Sequence, residues 1–334
     1  MDEPAQHVAI VGATGLVGQE VLRILEERGF PVSTLTLLAS ERSAGSRVTF
    51  RSHSTVVRDL NKDAFDEVDT AIFAADAEAS HDYARLAAQA GAVVVDCSSA
   101  FRLHPHVPLC VPEINPEVLQ RHHGIIAIPH GMTTQLAFAL APLHAEATLA
   151  RVVVSTYQAA SGRGQDAVRE LDQQFRDLLN FRPAVAGVFP HQLAFNCLPQ
   201  GGTFLDSGYG EEEMALIDET RKLLAAPDLP MSATVVYVPL AHGHSASVYV
   251  ETERTLSVPQ ARKLLAAAPG VVVEDDCREQ EYPLAIHANG QDEVFVGRLR
   301  ADLSVPNGLH LWVVADNLRR GAALNAVQIA ERLA

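Results

Sequence analysis

The sequence predicts an α/β protein of two domains, the first built on a parallel sheet and the second an α+β domain with a mixed sheet. In the first 130 residues, short apolar runs rich in β-branched residues alternate with segments of helical periodicity, which is typical of a parallel sheet covered on both faces. Later strands alternate polar and apolar residues, as in a sheet with one solvated face. The length of 334 residues suits two domains of ordinary size.

The same patterns place the individual elements. Short apolar or alternating runs predict strands at 7–11, 34–38, 70–74, 92–96, 151–157, 245–250 and 309–315. Apolar residues at helical spacing predict helices at 15–28, 77–90, 133–144, 211–224 and 318–333. The helix at 211 begins with three glutamates, which the positive end of a helix dipole favours.

Composition excludes several classes of protein. The chain has 26 Lys and Arg against 41 Asp and Glu, a formal net charge of −15, and no basic run, so neither nucleic acid nor an anionic membrane is expected as a partner. No apolar run reaches the roughly 20 residues of a spanning helix, and no secretory leader is recognisable. The four cysteines form no CxxC pair, which fits a reducing compartment. We therefore expect a cytoplasmic protein.

A glycine-rich turn follows the first strand and leads into a helix; it reads GATGLVG from Gly12 to Gly18. Glycines let the backbone approach a phosphate, and a helix N-terminus offers N–H donors and a positive dipole. We therefore predict a Rossmann-type dinucleotide site. The residues predicted to bind the cofactor here are Gly12, Thr14, Gly15, Leu16 and Val17. The alternative is a tight turn that only packs the helix against the sheet.

The segment after the second strand favours NADP over NAD. An acidic residue that would hold a ribose hydroxyl is missing from its expected place, and the segment instead contains Ser40, Arg42 and Ser43. Hydroxyl groups and a guanidinium suit a 2′-phosphate better than a bare ribose. Glu41 in the same segment weakens this preference. The alternative to a cofactor contact is that the segment is simply a solvated turn.

Several longer motifs resemble the aspartate-β-semialdehyde dehydrogenase family almost from end to end. They are VAIVGATGLVGQEVLRIL, LLASERSAG, DCSSAFR, VPEIN, TYQAASGRG, FNCLPQ, EEEMALIDETRKLL, GHSASVYVE and DNLRRGAALNAVQIAE. The resemblance implies a homodimer that works in amino-acid biosynthesis and interconverts an aldehyde and an acyl phosphate with NADP, through a cysteine thioester. It also implies that the C-terminal helix returns to the first domain, which gives a dinucleotide-binding domain of 1–130 with 315–334 and a substrate and dimerisation domain of 131–314.

The resemblance assigns roles to individual residues. His244 matches the catalytic acid/base, and Gln158 matches the glutamine that orients the substrate. The residues implied to bind substrate or phosphate are Arg102, Glu219 and Lys222. The residues implied to complete the cofactor site are Ser161, Gly162 and Asn317. Without the resemblance, a capped turn, a surface ion pair or a buried histidine would explain the same residues.

Three departures from the family pattern point to a paralogue without the catalytic cysteine, of the Usg type grouped with this family. Gly131 stands at the nucleophile position, and glycine cannot form a thioester. Tyr237 replaces the arginine that grips the substrate carboxylate, and a phenol cannot offer bidentate, charge-assisted bonds. Asp76 and Glu78 replace small residues beside the cofactor, where acids would repel a pyrophosphate unless they point away. We therefore expect the standard activity to be lost or weak.

Several alternatives stay open. Cys97, directly after the strand at 92–96, is a candidate for a relocated nucleophile, although a small hydrophobic role is favoured. His130, His242 and His244 would suit zinc or an anion if they converged, but the spacing is weak and no metal is predicted. The rival functions are an active NADP-dependent oxidoreductase with a changed substrate or nucleophile, and a non-catalytic partner that forms a hetero-oligomer with an active family member.

Overall fold

The structure is a computed structural model that describes residues 5–334. The chain forms two compact units, the first from residues up to His130 together with Gly321–Ala334, and the second from Gly131–Arg320. Within residues 5–334, no helix has the length and hydrophobicity needed to cross a membrane.

The first unit is a parallel α/β unit, as the alternation of strands and helices predicts. Its strands are β1 (Gln6–Val11), β2 (Val32–Ala39), β3 (Arg47–Phe50), β4 (His53–Val56), β5 (Arg58–Asp59), β6 (Thr70–Phe73), β7 (Val93–Asp96) and β8 (Ile125–Ala127). Its first two helices are α1 (Leu16–Glu27) and α2 (Ala77–Gln89). Six strands form one parallel sheet in the order β5-β2-β1-β6-β7-β8, while β3 and β4 form a separate hairpin.

The order of this sheet places a ligand-binding crevice at the end of β1. The chain passes from β1 to β2 on one side, and β6 pairs with β1 on the other. Ligands of open α/β sheets bind beyond the carboxyl ends of the strands at such a switch point. The glycine turn begins directly after Val11, so the fold puts it at this position.

The second unit is built on a mixed sheet, also as predicted. Its strands are β9 (Leu149–Gln158), β10 (Met231–Tyr237), β11 (His244–Thr252), β12 (Val271–Val273), β13 (Val294–Ala301) and β14 (Gly308–Ala315). Its helices are α3 (Gly131–Ala147), α4 (Gln165–Leu179), α5 (Glu211–Leu223), α6 (Val258–Ala267) and the short α7 (Ala285–Ala288). In the order β10-β9-β11-β14-β13-β12, the two outer pairs are parallel and the central pairs antiparallel.

The C-terminal helix α8 (Leu324–Leu333) belongs to the first unit, where it packs against α1 and β7. Arg28 after α1 donates two hydrogen bonds to Glu331, of 2.6 and 2.8 Å. A π-helical turn, Arg319–Ala323, precedes α8. The α-helix therefore begins at Leu324, later than residue 318, where the apolar spacing predicts its start.

The second boundary between the units lies at Arg320, whereas the sequence assigns 315–320 to the first domain. The physical reason is hydrogen bonding within the second unit. Ala315 is the last residue of β14 and pairs with His244 of β11. The Asp316 carboxylate accepts a 2.7 Å hydrogen bond from the backbone N–H of Gly290. These contacts keep the segment with the mixed sheet.

Candidate functional site

The glycine turn after β1 has a backbone that requires glycine at two positions. Gly12 has a φ of 83°, and a Cβ built there would lie 2.4 Å from the carbonyl oxygen of Ala74. A Cβ on Gly18 would lie 2.2 Å from the carbonyl oxygen of Gly12. Because both distances are far below van der Waals contact, a side chain at either position would force the turn away from the sheet.

The N-terminus of α1 is open to an anion. The backbone N–H groups of Gly12 and Ala13 both donate to the carbonyl of Leu38, which anchors the turn to β2. Gly15 is the N-cap of α1, and among residues 5–334 no side chain caps this end and no acid lies in its first turn. The backbone N–H groups of the first helical turn are therefore left as hydrogen-bond donors. This arrangement is suited to a phosphate group.

The residues predicted to favour NADP follow β2 in a short 3₁₀ turn. Ser40 precedes the turn Glu41–Ser43 and accepts a 2.8 Å hydrogen bond from the Ser43 N–H at its carbonyl. The side chains of Ser40, Glu41 and Arg42 are exposed. Because Leu38 pairs with Val11 at the end of β1, this turn lies at the same edge of the sheet as the glycine turn. The guanidinium of Arg42 is therefore available beside the predicted nucleotide site.

Asp76 and Glu78, the acids expected to disturb the cofactor loop, lie at the start of α2. Asp76 is the N-cap of α2, and its Oδ1 accepts a 2.9 Å hydrogen bond from the backbone N–H of Ala79. Glu78 lies in the first turn of the same helix and is exposed. Both carboxylates thus interact favourably with the positive end of α2.

A buried carboxylate lies at the end of β7, and the sequence patterns did not single it out. Asp96 is fully buried and accepts hydrogen bonds from Ser80 Oγ at 2.7 Å, Ser98 Oγ at 2.9 Å and the Ser98 N–H at 3.1 Å. Burial raises the pKa of Asp96, and these hydrogen bonds oppose the rise. The network fixes the segment that carries the next two predicted residues.

Arg102 and Cys97 lie within this fixed segment of the first unit. The Arg102 guanidinium donates to the carbonyl of Cys97 at 2.8 Å and to the carbonyl of Ile128 at 3.1 Å. The half-buried Cys97 side chain packs against the hydrophobic core of the unit. Burial, followed by the neighbouring Asp96 charge, strongly raises the pKa of the Cys97 thiol, and Arg102 lowers it less. Cys97 is therefore held as a neutral thiol rather than as a nucleophilic thiolate.

In the second unit, His244 is placed by a backbone hydrogen bond and by a glycine. It is the first residue of β11 and is buried. Its Nδ1 accepts a 3.0 Å hydrogen bond from the backbone N–H of Ala159. A Cβ built on Gly162 would lie 3.1 Å from both Cε1 and Nε2 of His244, so this edge of the imidazole ring faces Gly162. Glycine at position 162 therefore allows the backbone to approach the ring closely.

Gln158, the last residue of β9, lies beside the same glycine. Its Oε1 would lie 3.6 Å from a Cβ on Gly162. Within residues 5–334 this buried oxygen has no hydrogen-bond donor. The structure therefore brings Gln158, Gly162 and His244 together, as the resemblance implies, although their roles stay predictions.

Asn317 joins the two turns that carry these residues. Its Oδ1 accepts a 3.1 Å hydrogen bond from Ser161 Oγ and a 3.0 Å hydrogen bond from the backbone N–H of Gly243. Ser161 and Asn317 are both buried. The structure thus gives these two predicted cofactor residues a clear architectural role beside His244.

The nucleophile position lies at the start of α3. Gly131 is the first residue of the helix, and Thr133 in the same turn donates a 2.9 Å hydrogen bond to the buried Glu219 of α5. Burial lowers the pKa of Lys222, one turn further along α5, while the Glu219 charge opposes this shift. The predicted substrate-binding pair therefore lies on α5, and Glu219 of this pair contacts the helix that begins with Gly131.

Tyr237, at the position of the expected arginine, belongs to a polar cluster with Glu212 and Arg163. The buried phenol donates to both carboxylate oxygens of Glu212 at 3.2 Å. Arg163 donates to the same carboxylate at 3.3 Å, and its guanidinium lies 5.2 Å from the centre of the Tyr237 ring. Burial and the Glu212 charge strongly raise the pKa of Tyr237, so the phenol stays protonated. Sequence patterns missed this cluster because its members come from three separate elements.

The alternative of a metal site finds no geometric support. Within the part of the chain that the structure describes, residues 5–334, no three His, Cys, Asp or Glu side chains are arranged to hold a metal ion. This result covers His130, His242 and His244, and His244 Nδ1 already accepts a backbone N–H.

Two family models match the chain. The semialdehyde dehydrogenase NAD binding domain matches residues 7–122, and the semialdehyde dehydrogenase dimerisation domain matches residues 140–320. Together they cover most of both units.

Individual relatives match over almost the whole chain. Aspartate-semialdehyde dehydrogenase of Bacillus subtilis is 47% identical over 98% of this chain and 97% of its own, and that of Aquifex aeolicus is 48% identical with the same coverage. The crystal structure of aspartate semialdehyde dehydrogenase II from Vibrio cholerae superposes with a TM-score of 0.96 at 42% identity, covering 99% of this chain and 98% of that one.

Proposed function

The chain belongs to the aspartate-semialdehyde dehydrogenase family, and from that premise we propose that it binds NADP and a semialdehyde-like ligand without thioester chemistry at residue 131. The nucleotide part of the proposal is supported by the open N-terminus of α1 and by the close backbone approach at Gly12. Bound NADPH would supply a hydride. Ser40, Arg42 and Ser43 would contact the 2′-phosphate that separates NADP from NAD.

One observation carries the loss of the standard reaction: Gly131 begins α3 where the family resemblance places the nucleophilic cysteine. A glycine offers no atom that can attack an aldehyde or hold an acyl group. Cys97 does not compensate, because burial keeps its thiol protonated. Burial likewise raises the pKa of Cys110, to about 12. Cys197 and Cys277 are exposed and lie outside the segments that carry the site.

An active oxidoreductase with a changed substrate is the second candidate. It is favoured by the close placement of His244, Gln158 and Gly162 in the second unit. Such an enzyme would transfer a hydride between NADP and a carbonyl or hydroxyl carbon that is never attached to the protein.

The match to a dimerisation domain supports a homodimer as the working form. We place this homodimer in the cytoplasm, because the acidic composition and scattered cysteines fit a reducing compartment.

The two parts of the proposal are tested with the full-length protein. Titration with NADP and NAD should show saturable binding that is tighter for NADP. Incubation with aspartate semialdehyde, phosphate and NADP should give no acyl-enzyme by intact mass spectrometry. A turnover number in the ordinary enzyme range of about 1–10³ s⁻¹ for the phosphorylating reaction would refute the loss of thioester chemistry. Reduction of an aldehyde by NADPH without an acyl-enzyme would favour the second candidate.

A further inference from the structure

A cavity of about 320 Å³ lies within the first unit, between the C-terminal half of α2 and the start of β8. The segment after β7 closes a third side, because it returns alongside β8 and pairs with it through Leu109 and Ala127. We call this cavity the α2–β8 pocket. Its volume is within the range of small-molecule sites, roughly 300–1,000 Å³. The glycine turn follows the carboxyl end of β1, at the opposite edge of the parallel sheet, so the pocket is separate from the predicted nucleotide site.

The floor of the α2–β8 pocket is apolar and partly aromatic. Phe101, Val107 and Ile125 line it and are buried. The centre of the Phe101 ring lies 6.4 Å from that of His104, which lies 5.9 Å from that of His106, and both histidines also line the pocket. A flat ring bound on this floor would extend a cluster of rings that is already present. Aromatic pairs at these distances are stabilised beyond the burial of their apolar area.

The polar side chains of the pocket are basic or neutral. Arg85 and Gln89, one turn apart on α2, line it together with His123 and the two other histidines. Within residues 5–334 no aspartate or glutamate lines the pocket, although the whole chain has a formal net charge of −15. The side chains of Arg85, Gln89 and His123 are exposed, and within the same residues they have no hydrogen-bond or ion-pair partner. Their donors are therefore available to a ligand.

We propose that the α2–β8 pocket binds a small aromatic carboxylate, with its ring on the apolar floor and its carboxylate against Arg85. A guanidinium donates two parallel hydrogen bonds to a carboxylate, and Gln89 and His123 supply further donors at the mouth of the pocket. Among the described lining residues, Arg85 alone is charged at every physiological pH, so a monoanion matches the pocket better than a dianionic phosphate ester. The proposal is independent of the proposed function, because it uses no residue of the nucleotide turn or of the second unit.

Phenylacetate and two analogues test the ligand class by calorimetry on the full-length protein. Phenylacetate should bind saturably. Phenylacetamide has the same ring without the charge, and it should bind at least about tenfold more weakly because the charge-assisted contact is lost. Acetate has the charge without the ring, and it should show no saturable binding in the same concentration range because it leaves the apolar floor uncovered.

Substitution of Arg85 tests the location. Arg85→Gln should lower the affinity for phenylacetate by about tenfold. Arg121→Gln is the matched control, since it removes the same charge from an exposed position of the first unit outside the pocket and should leave the affinity unchanged. Both arginines are exposed, so neither substitution removes a buried side chain. The proposal is overturned if phenylacetate does not bind saturably, if the amide binds equally well, or if the two variants have the same affinity for phenylacetate.

Discussion

The two units differ in whether their predicted sites depend on the backbone or on side chains. In the first unit, the nucleotide turn depends on the backbone, with Gly12 pressed against Ala74 and an open helix end. In the second unit, the reacting groups are side chains, and two of the expected ones are replaced, by Gly131 and Tyr237. A binding site made of backbone groups persists as long as the fold does. A catalytic site made of side chains can be changed by single substitutions while the fold stays the same.

The largest expected effect comes from restoring the missing side chain. Gly131→Cys should create an acyl-enzyme with aspartate semialdehyde and NADP, because a thiol at a helix N-terminus has a lowered pKa. Phosphate-dependent NADP reduction should rise by about 10² or more over the parent protein. Intact mass spectrometry and absorbance detect the two effects. Gly131→Ser, with a poorer nucleophile of similar size, is the control; no adduct in Gly131→Cys would mean that residue 131 is not the reactive position.

The next effect tests the backbone site. Gly12→Ala should weaken NADP binding by more than about tenfold, because its Cβ would lie 2.4 Å from the Ala74 carbonyl oxygen and move the turn. Gly29→Ala is matched, since Gly29 also has a positive φ, of 65°, but no atom lies within 4 Å of its Cβ. The left-handed backbone should cost each variant about 1–2 kcal/mol of stability, and Gly12→Ala should lose more because of its contact with Ala74. Unchanged NADP affinity in Gly12→Ala would place the nucleotide elsewhere.

A smaller effect concerns the choice of nucleotide. Arg42→Ala should weaken NADP binding by about tenfold, the loss of one charge-assisted contact, and leave NAD binding unchanged. Fluorescence titration with the two nucleotides measures this directly. Arg169→Ala removes an equal charge from an exposed position on α4 and should change neither affinity. An equal loss of NAD and NADP binding in Arg42→Ala would contradict a contact with the 2′-phosphate.

The smallest effect concerns the cluster that replaces the arginine. Tyr237→Phe keeps the ring contact with Phe189 but removes the donor to Glu212, so the free energy of unfolding should fall by about 1 kcal/mol. Because the pKa of Tyr237 is strongly raised, this loss should be constant from pH 6 to 9, where the phenol remains protonated. Urea denaturation measures it. Tyr249→Phe is the comparison, because it removes a half-exposed phenol that donates to Glu251 and should lower the free energy of unfolding by less. A larger loss in Tyr249→Phe than in Tyr237→Phe would show that the buried hydrogen bond of Tyr237 is not the stronger one.

Sequence patterns predicted what depends on local spacing. The strand, glycine turn and helix at 7–28 are adjacent in the chain, so periodicity and glycine positions suffice to place them. The family resemblance assigned roles to His244, Gln158 and Asn317, and the structure places Gln158 beside the ring of His244 and Asn317 against the turn at Gly243. Their chemical roles stay predictions, because proximity alone does not assign a reaction.

What the sequence could not predict depends on contacts between distant segments. Ser80 and Asp96 pair across two elements, and Tyr237, Glu212 and Arg163 meet from a strand, a helix and a turn. No periodicity links such positions. The hydrogen bond that orients His244 was equally hidden, because its donor is the backbone N–H of Ala159, and an alanine side chain gives no chemical signal in the sequence.

The hydrogen bonds of Asn317 have a consequence for how the protein is made. This one amide oxygen joins the turn at Ser161 to the turn at Gly243, and Asn317 follows Gly243 by 74 residues in the chain. During synthesis, the two turns leave the ribosome long before Asn317 does. A nascent chain that has not yet reached Asn317 therefore lacks the brace that holds these two turns together beside His244.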